Sequence, residues 1–162
     1  VCAANENDGI SLQAIGENFE FTSNQSMIYF GIEVAINDAD QTDVLGGLCI
    51  TDTTLLGGMT DGIYFESLDG AATVSTVTEK DSSETQNDSV GTITDATMHF
   101  VEFFFDGTSV YFFYDGSQTT NIHTANICDD EVLTPSLEFL TGEATANTLD
   151  IRQWRAIQVG RT

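Results

Sequence analysis

Residues 98–116 read Met98-His-Phe-Val-Glu-Phe-Phe-Phe-Asp-Gly-Thr-Ser-Val-Tyr-Phe-Phe-Tyr-Asp-Gly116. Two runs crowded with aromatic and β-branched side chains are each closed by Asp-Gly. Such side chains fit a pleated surface and are stiff in a helix. Aspartyl-glycine between β-rich runs is tight-hairpin chemistry, because Gly takes positive φ without steric cost. The stretch is predicted to be a three-stranded meander at the centre of a sheet, covered on both faces.

Upstream, Ile28, Phe30, Ile32, Val34 and Ile36 alternate with Tyr29, Gly31, Glu33, Ala35 and Asn37, the period of a half-buried strand. The polar run 37–43 breaks it. Further strands are expected at 44–52, 62–68 and 72–78, with a loop or short helical turn at 55–59. The polar segment 79–89 reads as a long exposed hairpin tip. Downstream, 136–141 and 149–159 read as strands. In the last, Leu149 and Ile151 have one parity and Trp154 and Ala156 the other, so a β-bulge is predicted near Arg152-Gln153 to return both pairs to the core. Pro135 sits at a strand entrance, where a missing N–H does no harm.

Eleven or twelve short strands at spacings near ten residues, with no helical period, predict an all-β fold: a two-sheet antiparallel jelly-roll sandwich. Residues 1–9 read as an N-terminal arm and 10–162 as one domain. At 162 residues, a full core needs no disulfide or metal staple. Val1 is not Met, so the chain is expected to be processed or part of a longer one.

The net charge of −22 comes mainly from a shortage of bases, since Lys80, Arg152, Arg155 and Arg161 are the only four. Such a surface repels phosphate, which excludes nucleic-acid and anionic-membrane partners. Cys2, Cys49 and Cys128 have no metal-site spacing and read as small buried hydrophobes in a reducing cytoplasm.

Catalytic residues are not predicted. His99 lies within a strand and His123 ends one, neither in a ligand spacing, and no nucleophile-elbow motif occurs. Glu33, Glu66, Glu102 and Glu138 each stand alone among apolar neighbours, unlike the paired carboxylates of glycosidases. Acidic loops offer calcium candidates at Asp38, Asp40 and Asp43 and at Asp129, Asp130 and Glu131, against a solvated-loop reading; otherwise no cofactor is expected. Arg152, Arg155 and Arg161 cluster near the end of the chain and read as a partner-docking edge or as local charge balance.

Segments 47–66, 101–116 and 127–154 together carry a resemblance. The doubled Asp-Gly hairpin is similar to that of concanavalin A-like and laminin-G-like sandwiches. The set resembles jelly-roll virion proteins of tailed bacteriophages over residues 27–159. That resemblance implies a capsid decoration or cement subunit on the outer surface of the virion, assembled in the host cytoplasm. It implies the major capsid protein as partner and a homo-oligomer, a trimer among the options, with no catalytic residues to transfer. The alternative is a lectin-like carbohydrate-binding module; a third reading, a lyase or hydrolase, needs facing carboxylates or a His–Tyr–Arg cleft.

Overall fold

The structure is a computed structural model that describes residues 2–160. Twelve strands are present among them: β1 (Gly9–Gln13), β2 (Phe19–Glu20), β3 (Ser26–Ile36), β4 (Thr42–Cys49), β5 (Gly62–Ser67), β6 (Thr73–Lys80), β7 (Ser83–Thr92), β8 (His99–Phe105), β9 (Val110–Tyr114), β10 (Ser117–His123), β11 (Val132–Thr141) and β12 (Leu149–Gly160). One helical turn, α1 (Leu55–Gly58), follows β4. The strands form two antiparallel sheets. The seven-stranded sheet runs β1-β11-β4-β5-β6-β7, with β2 also pairing β11, and the five-stranded sheet runs β10-β9-β8-β3-β12. This is the expected two-sheet sandwich.

The core lies where the inward parities of the two sheets meet. Phe30, Phe103 and Phe112 from the five-stranded sheet are fully buried, as are Leu48, Ile63, Leu137 and Phe139 from the other at 1% exposure or less. Phe65 crosses the layer to meet Phe112 edge-on, with ring centroids 5.2 Å apart. Each such ring stabilises by roughly 1.5–3 kcal/mol through burial alone.

The bulge predicted in the last strand is present: register shifts between Ile151 and Gln153. Trp154 is thereby turned inward opposite Ile32 and packs half-buried against the core.

Four sequence expectations are corrected. First, β8 alternates between buried and half-buried residues, so its second face is not covered. Phe100, Phe104, Tyr111 and Phe113 look outward from β8 and β9, where aromatics had suggested burial on both sides. Second, segment 79–89 is a hairpin as expected, but a paired one and not a long tip. It is the end of β6, a two-residue turn and most of β7. Asp81 and Ser82 make that turn with φ of 52° and 61°, the doubly positive geometry that suits strand twist. The polarity of 83–89 reflects an edge strand, which charge protects from further pairing. Third, the two Asp-Gly corners differ. Asp115-Gly116 is a true two-residue hairpin between paired Tyr114 and Ser117. Asp106 instead opens a four-residue loop and accepts the Thr108 and Ser109 amides at 2.8 Å each. Fourth, Pro135 lies inside β11 rather than at its entrance, at the point where pairing with β1 stops at Ser136.

The residues before β1 are tied down: Cys2 N–H donates to Asn147 C=O at 2.9 Å and Asn7 N–H to Thr141 C=O at 2.6 Å. Cys2, Cys49 and Cys128 are free thiols.

Candidate functional site

The edge strands β7 and β10 belong to different sheets and lie side by side at one flank of the sandwich. Both are bulged. Register on β7 slips opposite Val74/Thr76, which displaces residues 88–90. Register on β10 slips between Gln118 and Ile122, which displaces 119–121. Bulges re-aim side chains and end pairing, and they concentrate at functional sites. Here the two open onto each other across a cleft of 430 Å³ walled by Asn87, Asp88, Gln118, Thr119, Asn121 and the Tyr114–Asp115 corner.

A buried histidine sets the wall. His123 is 1% exposed. Thr78 Oγ1 donates to Ala125 C=O at 2.9 Å, so it can only accept from His123 Nδ1–H, 3.0 Å away. His123 Nε2 is then bare and accepts from Asn87 Nδ2. Asn87 Oδ1 in turn accepts from Asn121 Nδ2 at 2.7 Å, which joins the two bulges. Asp88 is held by Gln86 Nε2 at 2.8 Å and Ser75 Oγ at 3.2 Å. Burial lowers the His123 pKa to about 4, which keeps the imidazole neutral in its acceptor role.

The other end of the cleft is held by His99. Thr94 N–H donates to His99 Nε2 at 3.0 Å, so Nδ1 carries the proton toward Asp115 Oδ2 at 2.8 Å. Tyr114 Oη lies 2.8 Å from the same nitrogen and donates to Thr92 C=O at 2.7 Å. A Cβ at Gly91 would fall 2.6 Å from the Tyr114 ring, so the ring lies flat on a position only glycine can occupy. Tyr114 and Asp115 are thus both within hydrogen-bond reach of His99, a grouping the sequence reading did not foresee.

The cleft is lined by primary amides, hydroxyls and carboxylates. Primary amides and hydroxyls supply donors and acceptors together, whereas carboxylates only accept. Among the described residues no Lys or Arg lines it to neutralise an anionic ligand.

A second concavity, of 590 Å³, lies on the outward face of the seven-stranded sheet beneath the Leu55–Met59 turn. It corrects the expectation that Glu66 stands alone. Hairpin pairing sets Glu79 opposite Glu84, and Asp43 and Glu66 line the same hollow. Burial, then Glu84 and Glu79, push the Glu66 pKa up to about 7. Tyr64 Oη donates to Glu79 Oε2 at 3.1 Å, and Glu138 accepts the Leu56 amide at 2.7 Å to hold the turn. Glu33 and Glu102 lie on the other sheet.

The calcium candidates do not assemble as two trios. Asp38 hydrogen-bonds Asp40, which raises the Asp38 pKa, but Asp43 turns away to accept the Asp69 amide at 2.7 Å. Lys80 reaches both Asp129 and, at 3.2 Å, Asp130. Glu131 contributes its carbonyl to the Cys128 thiol at 3.9 Å. Asp130 does gather with Asp61 and Cys128, the three ligand atoms lying within 4.8 Å. That trio fits a cation poorly. Burial pushes the Cys128 thiol up to about 12, and Asp61 already accepts from Thr60 Oγ1 at 2.8 Å and Asp81 N–H at 3.0 Å.

Of the arginines, Arg152 donates to Glu33 at 2.6 Å across the outward face of the five-stranded sheet. Arg155 is exposed on that face, and Arg161 lies outside the described residues.

No family model matches this chain, and no curated protein matches it in sequence. Solved structures do match in shape. The Emp46p carbohydrate recognition domain in its metal-free form superposes with a TM-score of 0.67 at 10% identity, over 96% of this chain and 80% of that one. Alginate lyase AlyC3 in complex with dimannuronate gives 0.62 at 8% identity, over 98% of this chain and 73% of that one. Carbohydrate binding module CBM66 from Bacillus subtilis gives 0.60 at 7% identity, over 94% of this chain and 82% of that one. These likenesses carry the fold, and none of the three is a virion protein. The chain is an all-β, two-sheet jelly-roll sandwich of the concanavalin A-like type.

Proposed function

We propose that this protein is a carbohydrate-binding module that recognises neutral saccharides at the cleft between the β7 and β10 bulges. The observation that carries the reading is the Asn121–Asn87–His123 relay, which fixes two amides at the mouth of a polar hollow. Sugar hydroxyls need donors and acceptors in fixed places, and a site with pre-set rotamers avoids the entropy of ordering them on binding. The similar structures include a carbohydrate recognition domain and a carbohydrate binding module, which supports the same reading.

Charge narrows the ligand class. Asp88 and Asp115 border the cleft on a chain of net charge −22, so uronates, sialosides and sulfated glycans are repelled. This also weighs against lyase chemistry on a uronate at His99 and Tyr114, because no Lys or Arg lines the cleft to neutralise the substrate's carboxylate. The capsid-decoration expectation draws no support from the similar structures.

Binding to an array of neutral and acidic glycans tests the reading. Signal confined to neutral glycans, and lost in Asn121→Ala, is expected. Silence across the neutral set, or preference for acidic glycans, would refute it.

A further inference from the structure

The outward face of the five-stranded sheet carries a row of apolar side chains from edge to edge. Register aligns Ile157, Tyr29, Phe104, Tyr111 and Ile122, one on each strand from β12 to β10. In the adjoining row, Arg155 and Glu102 flank Gly31. A Cβ at Gly31 would lie 2.5 Å from the Tyr29 hydroxyl and 3.2 Å from the Phe100 ring, so these two rings close over the glycine. Ile157 and Ile122, at the two ends of the row, are 53% and 45% exposed.

The charges of this face differ from those of the rest of the molecule. Arg152 and Arg155, the only arginines among the described residues, are both here, beside Glu33 and Glu102, with Asp106 and Asp150 at the rims. Arg152 holds Glu33 at 2.6 Å, and the Tyr29 hydroxyl donates to Glu102 at 2.6 Å. On a chain of net charge −22 this patch is close to neutral and carries both signs. The three strands β12, β3 and β8, about 4.8 Å apart and about seven residues long, span roughly 350 Å² before side-chain relief, the scale of a weak, reversible contact beside the ~800 Å² each partner gives to a stable interface. A patch bearing both signs and an uninterrupted apolar row is suited to meeting itself, as an isologous interface requires.

We propose that this face pairs with the same face of a second copy about a twofold axis running along β3. Because Arg155 and Glu102 flank Gly31, that axis sets Arg155 of one copy against Glu102 of the other, and Ile157 against Phe104. The pairing leaves the β7–β10 cleft open at the flank of each copy, so its failure is separable from failure of saccharide binding.

Analytical ultracentrifugation of the full chain across a salt series tests it, with circular dichroism as the check on folding. A dimer whose fraction rises with salt is expected, since salt screens repulsion between the acidic copies. Ile157→Asp should weaken association by at least about tenfold, whereas Leu68→Asp, on the other sheet's side, should leave it unchanged. Arg155→Glu should dissociate the dimer, and the double variant Arg155→Glu with Glu102→Arg should restore it. A monomer at high salt, a dimer indifferent to Ile157→Asp, or a charge swap that fails to rescue would each overturn the proposal.

Discussion

His123, buried on the inner side of β10, accepts a hydrogen bond from Asn87 on β7 and so ties the edge of one sheet to the edge of the other. It can do so only while neutral, because a proton on Nε2 replaces the acceptor with a donor facing a donor. Burial lowers its pKa to about 4, below the ordinary value of 6.5. The unfolded chain therefore takes up a proton before the folded one does. The stability this group contributes is present above pH 6.5 and is lost as pH falls toward 4 and below, by roughly 3 kcal/mol in full. Thermal melts from pH 7 to pH 4 should show this loss, and His123→Gln should flatten the part of the profile it causes.

Glu66 has the opposite sign. Its folded-state pKa is raised to about 7 by burial and by Glu84 and Glu79. The protonated form is the favoured one in the fold, so stability is highest below about pH 4.5 for this group and falls as pH rises through 7. Glu66→Gln should stabilise the protein at pH 8 by about 1–2 kcal/mol, the full shift being discounted for partial solvent screening, and should do nothing at pH 4.5. A melt at each pH, compared with the parent chain, checks the sign.

Gly91 supports the Tyr114 ring, and a Cβ there would fall 2.6 Å from it. Gly91→Ala should displace the ring from Thr92 and His99 and cost roughly 1–3 kcal/mol as overpacking. Hydrogen exchange should rise at the Thr94 amide, which His99 Nε2 accepts, and the far side of the sandwich should stay protected.

Phe112 touches Phe65, Phe103 and His123, with ring centroids 5.2, 5.8 and 4.8 Å away. Phe112→Ala should cost about 3–5 kcal/mol by denaturant unfolding. Because the cavity opens beside His123, saccharide affinity should fall with it, whereas Phe139→Ala, buried under β11, should lose stability without that added loss.

The architecture was legible in the sequence because it rests on local chemistry. The alternation from Ile28 to Ile36 and the Asp115-Gly116 corner declare strands and turns to any reader. Even the bulge at Arg152-Gln153 followed from a change of parity within one strand. The cleft was not legible, because each of its walls comes from a different strand. Asn87 lies in a polar segment that resembled a loop tip, Asn121 in a run of Thr and Asn with no apolar parity, and His123 in an isolated position. What joins them is the pairing of β7 and β10 with different sheets, which no window of sequence shows. The carboxylates of the second hollow were missed similarly, since Glu66, Glu79 and Glu84 meet only once β5, β6 and β7 are laid side by side. Outward-facing aromatics misled in the other direction: Phe100, Phe104 and Phe113 read as evidence of a covering layer, and none of the described residues of the same chain forms one.

Titration of the isotopically labelled protein with a neutral oligosaccharide, followed through side-chain amide resonances, addresses saccharide recognition most directly. Shifts concentrated at the Asn87, Gln118 and Asn121 amides, and abolished when His123 is protonated near pH 4, are the expected result. Saturable binding whose shifts fall on the aromatic face around Tyr29 and Tyr111, or beneath the Leu55–Met59 turn, would contradict it, as would the absence of any saturable shift.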